Sequence, residues 1–337
     1  QADRISLKNL ASQARTELDA VEGLGRGEAE EIADELADLV DDDGFWDHQA
    51  AGLAVFVTPY HVTVFRLPQS VTTQVHVSDR AYLKPLLGVT SHPSACNVLA
   101  LSEGGVRLIE VPADLPPSTI RIKELPRDAA SAAGKASIGA RSHSGRLVGS
   151  EGKRTHIRHY SRQIDAALRP ILAGSDTPLV LAAVEPIRSI YQSMNSYPHL
   201  LDQAIETNPD RATDQDLAHA AREVLEASYR QTLKTLAELV DTRRGQRRVS
   251  NDVAEAARAA TAGAVDTLMM DRDHVLEGSM GDDGSVRLGD EPGAQTYGVI
   301  DEIARRVLLT GGTVLSVASA DLPDAGQPLT AILRYPF

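Results

Sequence analysis

Apolar residues at Ile5, Leu7, Leu10, Ala14 and Leu18 recur at spacings near three and four, which gathers them on one face of a helix. After a break at Gly23 to Gly27, a second amphipathic helix is predicted over about Glu28 to Leu39, with Ile32, Leu36 and Leu39 inward. The run Asp41, Asp42, Asp43, Gly44 stops it. From Ala51 the pattern turns β-rich. Leu53 to Val57 and Val62 to Arg66, broken by Thr58, Pro59 and Tyr60, predict a hairpin.

A second segment begins near Asn97. Val98 to Leu101 leads through Ser102, Glu103, Gly104 and Gly105 into Val106 to Ile109, another predicted hairpin, and Ile120 with Ile122 predicts an edge strand. Asp128 to Gly152 holds almost no large apolar residue and is expected to be a mobile loop. Ile157, Tyr160, Ile164, Leu168 and Ile171 then share one helical stripe, and Leu179 to Val184 reads as a buried strand. A long helix is predicted over about Asp214 to Val240. Beyond the basic run Arg243 to Arg248 come a helix from about Ser250, its expected N-cap, to Ala262, and a strand over Ala264 to Met270. An acidic glycine-rich loop, Gly278 to Gly293, precedes a helix at Thr296 to Leu309 and strands at Thr313 to Ala318 and Leu329 to Tyr335. Helices alternating with strands predict an α/β protein of three layered domains, 1–92, 93–222 and 223–337, the last with a lead-in helix.

Composition narrows the function. The chain of 337 residues is 42% hydrophobic and 24% charged, the proportions of a globular protein. Its formal charge of −13 argues against indiscriminate coating of nucleic acid, because phosphate binding relies on Lys and Arg displacing counterions. Any RNA contact must be local. The single cysteine, Cys96, excludes an internal disulfide and a cysteine-cluster metal site, and fits a reducing compartment. No apolar stretch approaches the roughly 20 residues needed to span a bilayer. A cytoplasmic protein is expected, although the chain opens at Gln1 rather than Met and what precedes it is not read.

Ala264-Val265-Asp266-Thr267-Leu268 after a helix, the order helix, Gly311-Gly312, strand over Ile300 to Val314, and the closing run Ala331-Ile332-Leu333-Arg334-Tyr335 resemble the last domain of class I release factors and Pelota-type rescue factors. Asp3-Arg4-Ile5, Lys8-Asn9-Leu10, Phe45 to Gln49, Gly52 to Phe56, Leu83 to Leu87, Leu172-Ala173-Gly174 and Ser196 to Leu201 extend the resemblance over essentially the whole chain, to a bacterial branch of the archaeo-eukaryotic release factors. The resemblance implies an RNase H-like middle domain and a C-terminal α/β/α sandwich like that of kink-turn-binding ribosomal proteins. It implies binding to the ribosome and ribosomal RNA, for rescue or hibernation, with tRNA or a translation GTPase as further partners. The family places a Gly-Gly-Gln tripeptide in the loop corresponding to Asp128–Gly152, and none stands there. Gly245-Gln246 reads as linker. Without the tripeptide that positions water, peptidyl-tRNA hydrolysis is not expected. No catalytic residue, cofactor or metal is assigned.

Candidate RNA contacts are the cations Lys135, Arg141, His143, Arg146, Lys153 and Arg154 of the middle segment, with His156 and Arg158 beside them, and Arg243, Arg244, Arg247 and Arg248. The bland readings are a solvated loop for the first group and an interdomain hinge for the second. His156 and His159, three apart, lack a third metal ligand. Phe45, Trp46 and His48 form either a recognition surface or an anchor against the hairpin, and Tyr197-Pro198-His199 either a functional turn or a helix cap. Two rival functions stay open. One is a metal-dependent nuclease or other hydrolase, for which Glu185 is the best acid and a second carboxylate is missing. The other is a stress-response interaction scaffold.

Overall fold

In the computed structural model the first helical stripe forms α1 (Ala2–Asp19), packed against α2 (Arg26–Asp41) and followed by a short α3 (Asp43–Trp46). The hairpin is β1 (Gly52–Thr58) with β2 (His61–Leu67), Val55 standing opposite Val64. An extended strap leads into α4 (Lys84–Ser91). The structure describes residues 2–21, 23–47, 49–67, 70–92, 94–113, 115–132, 150–289 and 297–337. It divides into two compact units, residues 93–232 and residues 1–92 with 233–337.

The unit 93–232 is built on β3 (Cys96–Leu101), β4 (Val106–Val111), β5 (Ser118–Ile120) and β6 (Leu179–Ala182), in the order β5-β4-β3-β6. β3 and β4 are antiparallel, as their short turn requires. β3 and β6 are parallel, and the crossover that a parallel pair needs includes α5 (Ala129–Ala132) and α6 (Ser150–Leu172). All residues of β3 and β6 are buried because both faces are covered. Leu99, Leu101, Leu179 and Leu181 meet Ile157, Tyr160 and Ile164 of α6, joined by α7 (Ile187–Gln192). Val98, Ala100, Val180 and Ala182 meet Leu217, Ala218, Ala221 and Leu225 of α8 (Asp214–Arg244). Cys96 lies in this second layer, where burial pushes its thiol up to about 12 and leaves it unreactive.

In the other unit, β7 (Val249–Ser250), α9 (Val253–Thr261) and β8 (Val265–Asp271) precede β9 (Glu277–Met280), β10 (Val286–Leu288) and β11 (Tyr297–Gly298). α10 (Val299–Leu309), β12 (Thr313–Val317) and β13 (Leu329–Leu333) complete it. The main sheet runs β12-β8-β13-β7, with Val314 beside Leu268 and Ile332 opposite Thr267, so the strands of Val265 and Ile332 are neighbours. Leu268 and Met270 face α9 and α10, while Met269 on the opposite face meets Leu233 and Leu236 of α8. The mixed α/β class predicted from the pattern is what the chain adopts.

Three local expectations are corrected. Ser250 is not a cap: it pairs with Ala331 in the sheet, and Asp252 caps α9 by accepting from the Glu255 amide at 2.7 Å. The stretch 278–293 is not all loop, since β9 and β10 pair antiparallel within it; residues 290–296 lie outside the described part. The stretch 128–152 is helical at both ends, in α5 and at the start of α6, because Asp128 caps α5 through the Ser131 amide at 2.6 Å. Residues 133–149 between them lie outside the described part.

Candidate nucleic-acid interface

The candidate interface lies on the side of α6 turned from the sheet. Its inner stripe, Ile157, Tyr160, Ile164 and Leu168, is buried, and this fixes which residues point out. Lys153, Arg154, Arg158, Arg162 and Arg169 stand on the helix against two acids, Glu151 and Asp165. Two of the five cations are engaged. Lys153 pairs with Glu103 at 2.7 Å, and Arg169 holds Asp165 at 2.7 Å and the Ser196 hydroxyl at 3.0 Å. Arg154, Arg158 and Arg162 are exposed and have no protein acceptor among the described residues. Their spacing of four sets them in one row along the helix, where like charges cost roughly 0.2–0.5 kcal/mol per adjacent pair. Each member of the row is a planar fork of donors whose geometry suits phosphate oxygens.

The exposed Arg121, Lys123 and Arg127 flank Ile122 and Leu125, which pack on the core that receives α6. Neither Arg162 nor these three was singled out from the sequence. The i+4 step from Arg154 through Arg158 was the signal for Arg162; nothing local marked the others. Lys135, Arg141, His143 and Arg146 lie outside the described residues.

The run Arg243 to Arg248 is used differently. Arg244 forms an ion pair with Asp324 at 2.6 Å, and Arg248 donates through Nε to the Leu333 carbonyl at 2.9 Å. Arg243 donates to the Gln246 side chain at 3.2 Å, and the exposed Arg247 adopts a left-handed backbone with φ of 56°. Gly245-Gln246, read as linker, lies in the turn that ends α8, and the left-handed residue of that turn is Arg247 and not the glycine. This run therefore knits α8 to the sheet, and Arg247 is the member whose side chain has no hydrogen bond or ion pair among the described residues.

His156 and His159 are exposed on α6, and His159 contacts Gln163 at 2.8 Å. Among the described residues no three His, Cys, Asp or Glu side chains converge as a metal site. Glu185 is exposed. Hydrogen bonds from Ser189 and Arg188 hold its carboxyl below the usual range, so it is a spent carboxylate, not a poised general acid. Trp46 is half-buried, donates to the Val40 carbonyl at 3.1 Å and meets Phe45 edge-on at 5.2 Å, the geometry of an anchor; His48 lies outside the described residues. The Tyr197 hydroxyl lies 2.7 Å from the Thr177 carbonyl and 3.0 Å from that of Ser175, tying the turn to the approach of β6. No described helix is long and apolar enough to cross a membrane.

Residues 93–231 match the model of bacterial archaeo-eukaryotic release factor family 11. No curated protein matches the chain at a significant level. Among solved structures, ribosome-bound archaeal Pelota is 14% identical over 73% of this chain and 63% of its own, with a TM-score of 0.43. Dom34 of S. cerevisiae, a translation termination-like factor, is 11% identical over 72% and 63%, with a TM-score of 0.44. The archaeal translation termination factor aRF1 is 14% identical over 97% and 88%, with a TM-score of 0.25. The chain thus spans less than two thirds of the Pelota and Dom34 chains that it matches. The similarity to bacterial archaeo-eukaryotic release factor family 11 thus covers residues 93–231, the unit that carries α6.

Proposed function

We propose that the chain is a ribosome-associated translation factor of the rescue or hibernation type, which occupies the ribosome without hydrolysing peptidyl-tRNA. The observation that carries this reading is the row Arg154, Arg158 and Arg162, with no protein acceptor among the described residues, inside the part that matches a release-factor family and lacks Gly-Gly-Gln. The row meets ribosomal RNA through phosphates, which gives position without reading sequence. In the same proposal Lys135, Arg141, His143, Arg146 and Lys153 are further contacts to ribosomal RNA, and Arg243, Arg244, Arg247 and Arg248 a second group, in which Arg247 is the member with no other side-chain engagement among the described residues. The three-domain division at 92/93 and 222/223, cytoplasmic residence and delivery by a translation GTPase belong to the same proposal.

The test is sedimentation of the full chain with purified ribosomes across a salt series. Wild-type protein is expected to pellet with ribosomes at low salt and to be released as salt rises, because each phosphate neutralised adds to the salt slope. Reversal of Arg154, Arg158 and Arg162 to Glu is expected to abolish pelleting while circular dichroism stays unchanged. Pelleting of the triple variant at wild-type salt dependence refutes the assignment of the row, and release of peptide from a loaded ribosome refutes the non-hydrolytic reading.

A further inference from the structure

The helices and hairpin at the start of the chain do not close their own core. β1 is only half-buried from Gly52 to Val57, and Leu10 and Ile32, which face inward on α1 and α2, are likewise half-covered. Between them and the strap lies a cavity of about 520 Å3, lined by Leu7, Leu10, Leu36, Trp46 and Phe56 among others. That is the size of a small-molecule site, and its walls are chiefly apolar.

One end is polar. The strap residues His76, Ser78, Arg80 and Tyr82 line both the cavity and an adjoining recess of about 50 Å3, whose far wall is Tyr297, Asp301 and Glu302. His76 stacks on Tyr82 with ring centres 4.2 Å apart, and burial holds its imidazole below the usual value, toward the neutral form. Arg80 is fixed by Glu302 at 2.5 Å and lies over the Tyr297 ring at 4.7 Å. Its Nε is buried with no hydrogen-bond acceptor among the described residues, and the nearby Asp79 carboxylate stands 3.8 Å away. A buried guanidinium N–H without an acceptor costs the full desolvation of that group, so it is normally met by something. Glu302 is already shared with Arg305 and Arg306, at 2.6 and 2.8 Å, and cannot turn to supply it.

We propose that this cavity binds a small amphiphile, an aliphatic chain with a carboxylate head, the chain between α1, α2 and β1 and the head accepting from Arg80 Nε. The inference goes beyond the ribosome reading and does not rest on it.

Trp46, the only tryptophan, lines the cavity, so its fluorescence reports occupancy directly. The full chain, stripped of bound lipid, is titrated with dodecanoate below its micellar concentration. A saturable change in Trp46 emission at micromolar ligand is expected, and dodecanol is expected to bind at least about tenfold more weakly, since it lacks the charge that Arg80 meets. Ala11→Phe and Ala54→Leu, which fill the cavity from α1 and β1, are each expected to weaken dodecanoate about tenfold or more without lowering the thermal midpoint. Should either variant fail to fold, a chain-length series on the wild type decides: affinity is expected to rise with length and then stop rising once the cavity is full. Any of three results overturns the proposal: no saturable change, affinity that keeps rising as on an open surface, or an emission change that follows protein dilution alone and so reports a second copy covering the cavity.

Discussion

Arg247→Gly and Arg247→Ala together separate a backbone role from a charge role. Three helices that end within the unit formed by residues 1–92 and 233–337 close on the same pair of backbone bonds. In α9, Gly263 donates to Ala260 and Ala264 to Ala259; in α10, Gly311 donates to Leu308 and Gly312 to Val307; in α8, Arg247 donates to Arg244 and Arg248 to Arg243. This pairing places one residue in the left-handed region. Gly263 and Gly311 take it at φ of 68° and 72°, but α8 puts Arg247 there at 56°. An L-residue in that region carries about 1–2 kcal/mol of strain, and glycine returns roughly 0.5–1 kcal/mol of this through the greater freedom of its unfolded chain. Arg247→Gly should therefore stabilise by about 0.5–1 kcal/mol relative to Arg247→Ala, which keeps the strain. The two variants lose the same charge, so they should lose the same amount of ribosome pelleting. Thermal unfolding of the full chain reads the first quantity, with a separation of about 1–4 °C expected. An alanine variant as stable as the glycine variant refutes the strain argument, whatever happens to pelleting.

Other perturbations test the packing around these surfaces. Asp252→Ala should cost about 1 kcal/mol by removing the cap of α9, read as a lowered urea midpoint at unchanged slope. Burial pushes the Asp301 carboxyl up to about 6, against the backbone amides of Leu83 and Lys84 that favour its charge. Its contribution to stability is thus complete below its unfolded value near 3.8 and is lost as pH rises through about 6. Between pH 4 and 6 the wild type should lose, relative to Asp301→Asn, on the order of 2–3 kcal/mol, measured by urea unfolding at each pH. Glu302 runs the other way. Burial alone would raise it, but Arg305, Arg306 and Arg80 hold it at about 2, so its contribution is present above about pH 4.5 and fades only as pH falls toward 2. Glu302→Gln leaves these guanidiniums around a neutral amide and should cost about 3–5 kcal/mol at pH 7, by the same measurement.

What was legible in the chain was whatever periodicity dictates. Leu99 and Leu101 alternate with Val98 and Ala100, and the two sets fill opposite faces of one sheet. The inner stripe of α6 follows the same logic, except that Ile171, expected on it, is exposed and Leu172 is buried instead, while the adjacency of β8 and β13 was expected from the resemblance of the closing segment and not from periodicity. Glycine misled where its reason was contact and not conformation. Gly278 suggested a loop, yet it sits in β9 because a Cβ there would fall 2.3 Å from the Arg287 carbonyl oxygen. Ser250 looked like a cap because cap chemistry is local, whereas its pairing with Ala331 spans 81 residues. The cavity could not be read at all: its apolar walls are built from residues that read as ordinary core, its polar end comes from a strap with no pattern of its own, and only their failure to meet leaves the space.

The density of arginines in sequence proves a poor guide to which of them can reach a phosphate. Arg244 and Arg248, in the densest run, are committed to Asp324 and the Leu333 carbonyl, so charge reversal there breaks an ion pair and the edge of a sheet along with any RNA contact. Lost pelleting in such a variant would not distinguish a missing contact from a loosened fold. Arg154, Arg158 and Arg162 are sparser in sequence and have no such commitment among the described residues. Their reversal swaps one exposed like-charged row for another, so the helix keeps its balance of repulsions and only the sign seen by a polyanion changes. A contact is best tested where the protein itself has least use for the charge, and on this chain that place is the outer face of α6.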